Sequence, residues 1–266
     1  MKRISLPDSH ECLRICKWTD ISIQDYEIHD PDLTELGRNQ SKELREKLIQ
    51  TLPGQLDVGL ILVSPMRRTC QTALIALDWL IEQGVPIQAH AGWQVRADVN
   101  ICSLNPTLHR QRAAADMHTL LENSSKPCDT GSDLESLKKE FPAIDFSHVD
   151  PVYPDKTSSA GAHYAFTRKA LLNRAQTCVR ELDGRPEKAV VVVSHSGFLR
   201  QAMTGCFWFN ADYRIFDIKE DGDTKDNFVL EQWEQTAKSG GGMGWSWPDM
   251  VEIGDGLPVP DEVPPQ

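Results

Sequence analysis

The sequence contains no CxxC pair and no Cys/His spacing of the kind that encloses zinc, although it carries seven cysteines in 266 residues. Their odd number and scattered positions (Cys12, Cys16, Cys70, Cys102, Cys128, Cys178 and Cys206) fit reduced thiols rather than a disulfide framework. Also missing is any apolar run long enough to span a bilayer, and the opening MKRISLPDSHECLRICKW has no hydrophobic stretch of the signal-peptide kind. Positive charge is scarce: 28 Lys and Arg stand against 39 Asp and Glu, a formal net charge of −11. A field of that sign repels nucleic acid and anionic lipid. The expectation is a soluble cytoplasmic protein with no nucleic-acid or membrane partner. Any anion it binds must be held by a local cluster of cations. No internal repeat occurs, and no feature of the sequence sets an oligomeric state.

With 40% hydrophobic and 25% charged residues, the chain has ample material for one sizeable core. The spacing of apolar residues predicts a helix over 34–52 with Leu36, Leu44 and Leu48 on one face, then a strand over 58–63. Ser64 and Pro65 read as the cap and first position of a helix running from Met66 to Ile81. Residues 85–89 resemble a strand. From about 92 to 118 no period of 2 or 3.6 persists, and a long patternless stretch fits poorly inside a compact domain. After a turn-rich region to Asp155, residues 164–182 read as a helix. Ala189 to Val193 (AVVVV) reads as a parallel strand covered on both faces, with a helix following from about Phe198. Later strands are expected over 207–218 and 228–233, and from Lys238 a Gly-, Pro- and acid-rich tail that is irregular or disordered. Alternating strands and helices argue for a three-layer α/β/α sandwich with a mostly parallel sheet. The corresponding organisation is an atypical segment over 1–24, a domain over 25–237 and a tail over 238–266.

The chemistry is expected where strands hand over to helices, because ligands of such sheets bind beyond the carboxyl ends of the strands. One junction, Val63-Ser64-Pro65-Met66-Arg67-Arg68-Thr69, puts guanidinium groups in the first turn of a helix, beside free N–H groups and the positive end of the dipole. Like charge on like dipole costs stability, so the placement makes sense if an anion is bound there. A solvated arginine pair is the bland alternative. The other junction, Val193-Ser194-His195-Ser196-Gly197-Phe198, puts an imidazole at the mouth of a buried strand, with Gly197 allowing a ligand close to the backbone. Its bland alternative is a capping turn with His195 bonded to a neighbour. A hydrolase elbow using Ser196 fails on its pattern, since Ser194 and Phe198 stand where glycines belong.

Taken together, DPDLTELGRNQ (30–40), SPMRRTCQTA (64–73), LLENSSKPCDTGSD (120–133) and VVVSHSGFLRQ (191–201) resemble, in order, the signatures of the histidine phosphatase superfamily. The likeness is to its phosphoglycerate mutase-like, fungal branch and covers residues from about 25 to 235. The resemblance implies a phosphoglycerate mutase-like fold, a small phosphorylated substrate and no metal or cofactor. It makes Arg68 a phosphate-binding arginine and His195 the second active-site histidine, with Ser196 and Gly197 beside the substrate. Glu122 takes the place of the acid that protonates the leaving oxygen. Arg67 reads as a neighbour at the rim, and Thr34 and Gly37 as structural.

One signature is missing. The family opens with a strand ending in Arg-His-Gly or Arg-His-Ala, whose histidine attacks phosphorus, and neither tripeptide occurs here. His10 lies at a tolerable distance from the LTELG motif but lacks the preceding arginine and is followed by Glu11. The simplest expectation is a gene model with its first exon missing or mis-started and an intron translated near 92–118. The functional expectation is a phosphatase acting through phosphohistidine, impaired by that loss. The alternative is a pseudophosphatase that binds a phospho-ligand without turning it over.

Overall fold

The computed structural model describes residues 28–94, 127–220 and 227–258, together with the backbone of 11–16. Its elements in chain order are β1 (Glu11–Cys16), α1 (Glu35–Thr51), β2 (Val58–Val63), α2 (Arg67–Ala76), α3 (Asp78–Glu82) and β3 (Ile87–Ala89). There follow α4 (Leu134–Glu140), α5 (Arg168–Asp183), β4 (Ala189–Ser194), α6 (Ser196–Phe198, continued as a π-helical stretch over Leu199–Thr204), β5 (Asp212–Glu220), β6 (Phe228–Gln232) and α7 (Glu234–Ala237). The strands form one sheet in the order β3-β2-β4-β1-β5-β6. β3, β2, β4 and β1 run parallel, whereas β5 and β6 return antiparallel at one side. The expected mostly parallel sheet is present.

Alternation along the central strands sends side chains into two apolar layers. Ile61, Val63, Val191 and Val193 pack with Leu44 and Leu48 of α1 and with Cys70 and Ala73 of α2. Leu60, Leu62, Val190 and Val192 pack with Leu171, Ala175 and Val179 of α5 and with Phe198 and Leu199. A continuous apolar run such as AVVVV is stable in water only when both faces are covered in this way. The helices on either side complete the three-layer sandwich.

Several local expectations need correction. The helix expected from 66 to 81 is interrupted at Leu77, whose φ of −120° leaves the helical range, and so splits into α2 and α3. Leu36 is half exposed, because the buried face of α1 runs through Gly37, Gln40, Ser41, Leu44 and Leu48 instead. The strand expected from 85 shortens to Ile87–Ala89, and the one expected from 207 begins only at Asp212. No element was foreseen at Glu11–Cys16 or Leu134–Glu140, where the structure has β1 and α4.

The segment after Lys238 is irregular, as expected, but as far as Pro258 it is docked on the fold. The Asp212 carboxylate accepts from Gly242 N (3.0 Å) and from the Ser246 hydroxyl. The fit requires glycine at Gly240: its φ is +72°, and a Cβ there would lie 2.0 Å from Asp212 Oδ1.

Candidate active site

Register brings the two expected junctions together. Val63 of β2 pairs with Val193 of β4, and Cys16 of β1 pairs with Ser194. Three parallel strands therefore end side by side, and the residues after β2 and β4 meet at one end of the sheet. Ser64 N donates to Val193 O at 2.9 Å, fixing the first residue beyond β2 against β4.

Ser64 does not cap the helix that follows. The cap is Met66, and no side chain bonds there. The Ser64 hydroxyl instead meets His195 Nε2 at 2.8 Å, both residues being fully buried. On the other side of the ring, Arg68 Nη2 lies 3.4 Å from His195 Nδ1. A guanidinium can only donate, so this arrangement fits the imidazole tautomer with its proton on Nε2, directed at Ser64 Oγ.

The guanidinium of Arg68 is itself held by the turn at Pro127–Asp129. Nη1 donates to Cys128 O at 2.7 Å, and Nη2 lies 3.3 Å from Asp129 Oδ1. Arg68 is 4% and Asp129 3% exposed, so this ion pair is buried and each charge depends on the other. Arg67 points outward to Glu140 at 2.7 Å and Asp32 at 3.7 Å, a rim position.

The loop that carries Arg68 is tied on both sides by residues from two of the other signature segments. Asp30, fully buried, accepts from Arg67 N (3.1 Å) through Oδ1 and from Ser132 N (2.9 Å) through Oδ2. It thereby serves the start of α2 as a cap supplied from far away in sequence. Gln71 accepts from Leu33 N at 2.7 Å and donates to Asp32 at 2.7 Å. Thr34 caps α1 by accepting from Gly37 N at 3.1 Å. The DPDLTELG and SPMRRTCQTA motifs occur together because they hold one another. Tyr153 closes the assembly by donating its hydroxyl to Pro65 O, and it leaves no room at Gly131, where a Cβ would sit 1.7 Å from the Tyr153 hydroxyl oxygen.

Of the residues expected at the site, the structure brings Arg68 and His195 into contact. Ser196 and Gly197 follow His195 in the buried start of α6. Glu122 and His10 lie outside the described residues. Sequence reasoning missed Asp30, Ser64, Asp129 and Lys156. Asp30, Ser64 and Asp129 had a signal, since all three fall within quoted motifs; Lys156 had none.

A separate cavity of about 700 Å³ lies beside α5, lined among others by His90, His163, Tyr164, Arg174 and Glu181. Neither Arg68 nor His195 lines it. His90 hydrogen-bonds Glu181 at 3.0 Å and holds that carboxyl below its usual range. Among the described residues no helix is long and apolar enough to cross a membrane, and no group of three or more His, Cys, Asp or Glu side chains is placed to hold a metal ion.

The chain is similar to known proteins. Residues 19–126 match the family described as histidine phosphatase superfamily (branch 1). A "probable phosphatase" of Schizosaccharomyces pombe is 29% identical over 175 residues, covering 65% of this chain and 65% of that protein. A "phosphoglycerate mutase-like protein" of Arabidopsis thaliana is 31% identical over 186 residues, covering 67% and 63%. The chain spans 57–65% of the length of the relatives it matches. Among solved structures, the ecdysone phosphate phosphatase of Bombix mori in complex with tungstate has a TM-score of 0.47 at 13% identity, over 85% of this chain and 92% of that one.

Proposed function

The chain belongs to the histidine phosphatase superfamily, and from that premise we propose that it grips a small phosphomonoester at Arg68 and His195 and hydrolyses it slowly. The observation that carries the reading is the contact between those two residues. A buried guanidinium and an imidazole meet at 3.4 Å where two neighbouring parallel strands end, in a chain whose net charge is −11. Such a local cluster is what an acidic protein needs to hold a phosphoryl group against its own field.

In this reading Arg68, His195 and the backbone around Ser196 and Gly197 hold the equatorial oxygens and stabilise the charge that builds on them. Glu122 is proposed as the general acid. The family's covalent route begins with a histidine supplied at the end of a strand. β1 ends beside Ser194, yet the sequence there is Cys16-Lys17-Trp18-Thr19, without histidine. Water is therefore the proposed nucleophile. It attacks phosphorus in line, the P–O ester bond breaks, the leaving oxygen takes the proton of Glu122, and the proton of the attacking water passes to solvent. Without the covalent intermediate, turnover is slow. The odd number and scattered positions of the seven cysteines support a reducing, cytoplasmic setting.

The missing Arg-His-Gly favours a second reading, a binder of phosphorylated ligands with no turnover. A generic aryl phosphate separates the two. Slow hydrolysis that vanadate inhibits, and that His195→Ala or Arg68→Ala abolishes, is the expected result. Phosphate binding without hydrolysis leaves the binder, and absence of both sinks the site.

A further inference from the structure

Two indoles stand out from the docked segment that follows α7. Trp245 is 52% and Trp247 45% exposed, and Met250 and Ile253 nearby are exposed as well. These four make up half of the eight exposed large apolar side chains among the described residues, gathered within nine positions. An antiparallel strip holds them in place. Trp247 stacks on Phe207 with ring centroids 4.8 Å apart and an interplanar angle of 11°, Trp245 meets Phe209 edge-on at 5.1 Å, and Met250 bridges to Cys206. The residues between turn inward: the buried Ser246 hydroxyl accepts from Phe209 N at 2.9 Å, and the buried Trp208 indole donates to Thr204 Oγ1 at 3.1 Å. With one face of the Trp247 indole on Phe207, what it offers solvent is its other face and its edge.

Exposed apolar groups that cluster inside a polar rim mark interaction surfaces, and the rim here is negative. Asp249 and Glu252 flank Met250 on the same strip, are exposed, and form no ion pair among the described residues. Val251 N donates to Gly205 O at 3.0 Å, which keeps them alongside the stretch that carries Phe207. No lysine or arginine occurs between Lys238 and Pro258, and the chain as a whole carries −11. Indole faces attract cations through the ring quadrupole, and the neighbouring carboxylates add to that pull. Of the two cationic side chains the guanidinium fits better, being planar, weakly hydrated, able to stack on rings and able to give a carboxylate two parallel N–H donors. We propose that Trp245, Trp247, Asp249 and Glu252 form a docking surface for an arginine-bearing segment of a partner protein. The rings are already held in place, so little side-chain freedom is lost on binding. The surface contains neither Arg68 nor His195, and the inference does not depend on the phosphomonoester reading.

The test is binding of a fluorescein-labelled Gly-Arg-Gly-Arg-Gly-Arg amide to the full chain, followed by anisotropy at about 0.15 M salt, where exposed charges more than about 8 Å apart are screened. Saturable binding is expected. Trp245→Ala combined with Trp247→Ala should weaken it about five- to thirtyfold, the scale of two aromatic–guanidinium contacts. Asp249→Asn combined with Glu252→Gln should weaken it severalfold, and the matching Gly-Lys peptide should bind less tightly than the arginine peptide. Val229→Ala, which removes an exposed apolar side chain on β6, serves as the unaffected control. In the unaltered chain the arginine peptide should shift the indole N–H signals of Trp245 and Trp247 and leave those of the buried Trp93 and Trp208 in place, a readout that requires no variant to fold. No saturable binding, wild-type affinity in the double tryptophan variant, equal affinity for the lysine peptide, or unmoved Trp245 and Trp247 signals would each overturn the proposal. So would a wild-type dimer in sedimentation that the tryptophan substitutions dissolve, since a second copy would then be the occupant.

Discussion

Ser64 Oγ lies 2.8 Å from His195 Nε2, a contact between residues 131 positions apart in sequence. The parallel pairing of β2 with β4 creates it, and both groups are sealed from solvent. Ser64→Ala removes the hydroxyl that accepts from Nε2, while Arg68 still faces Nδ1. The expected cost is about 1–3 kcal/mol of stability, with a change in the ¹⁵N shift of His195 Nε2 as its hydrogen bond is lost. Unchanged shifts together with unchanged stability would show that the hydroxyl does not orient the ring.

The buried pair of Arg68 and Asp129 permits a sharper separation of folding from binding. Arg68→Met removes the guanidinium that faces the buried Asp129 carboxylate, at an expected cost of about 3–5 kcal/mol. Adding Asp129→Asn removes the buried negative charge and should recover most of that stability, as read by urea unfolding. Phosphate affinity should not return, because the guanidinium is still missing. Recovery of both together would mean that Arg68 acts only through the fold.

The parts of this architecture that were legible in the sequence are those where one physical signal dominates. AVVVV at 189–193 could only be a strand buried on both faces, and the two strand-end motifs flagged Arg68 and His195. β1 was hidden because ECLRIC is a short strand carrying Glu11 and Arg14, and its identity comes from the partners on either side. Ser64 looked like a helix cap because capping is the commonest use of serine before such a helix. The competing imidazole arrives from a distant segment that no local rule can see. Asp129 stood inside a quoted motif, but its pairing with Arg68 was invisible for the same reason: it depends on the turn that brings the two together.

Asp30 is the clearest case of a motif residue whose role is mechanical. Its two carboxylate oxygens each accept one backbone N–H, from Arg67 and from Ser132, and so join the Arg68 loop to the segment that holds its guanidinium. Asp30→Ala is expected to cost about 2–4 kcal/mol, twice the typical loss for one capping bond, and to weaken phosphate binding by loosening Arg68. Asp30→Asn keeps one acceptor oxygen and should lose about half as much. Equal thermal unfolding of Asp30→Ala and the wild type would refute the tether.

The docked C-terminal segment should make stability fall as pH rises through the mildly acidic range. Burial is the largest influence on Asp212 and pushes its carboxyl up to about 6 from an ordinary 3.8, against opposing contributions from the Ser246 hydroxyl, the Arg214 charge and the N–H groups of Gly242 and Tyr213. A raised carboxyl favours the protonated form in the folded state. Its contribution is therefore fully present below about 3.8 and lost as pH climbs through about 6. The shift corresponds to a loss on the order of 3 kcal/mol. Asp212→Asn is neutral throughout and should lack this component. The stability of the wild type relative to Asp212→Asn is expected to decline from pH 4 to pH 7, most steeply at about pH 5, between the unfolded and folded values, when both are unfolded by urea at a series of pH values. A difference that stays flat, or rises, across that range would show that the Asp212 carboxylate is comfortable in its buried site and that the Gly-rich segment is held in some other way.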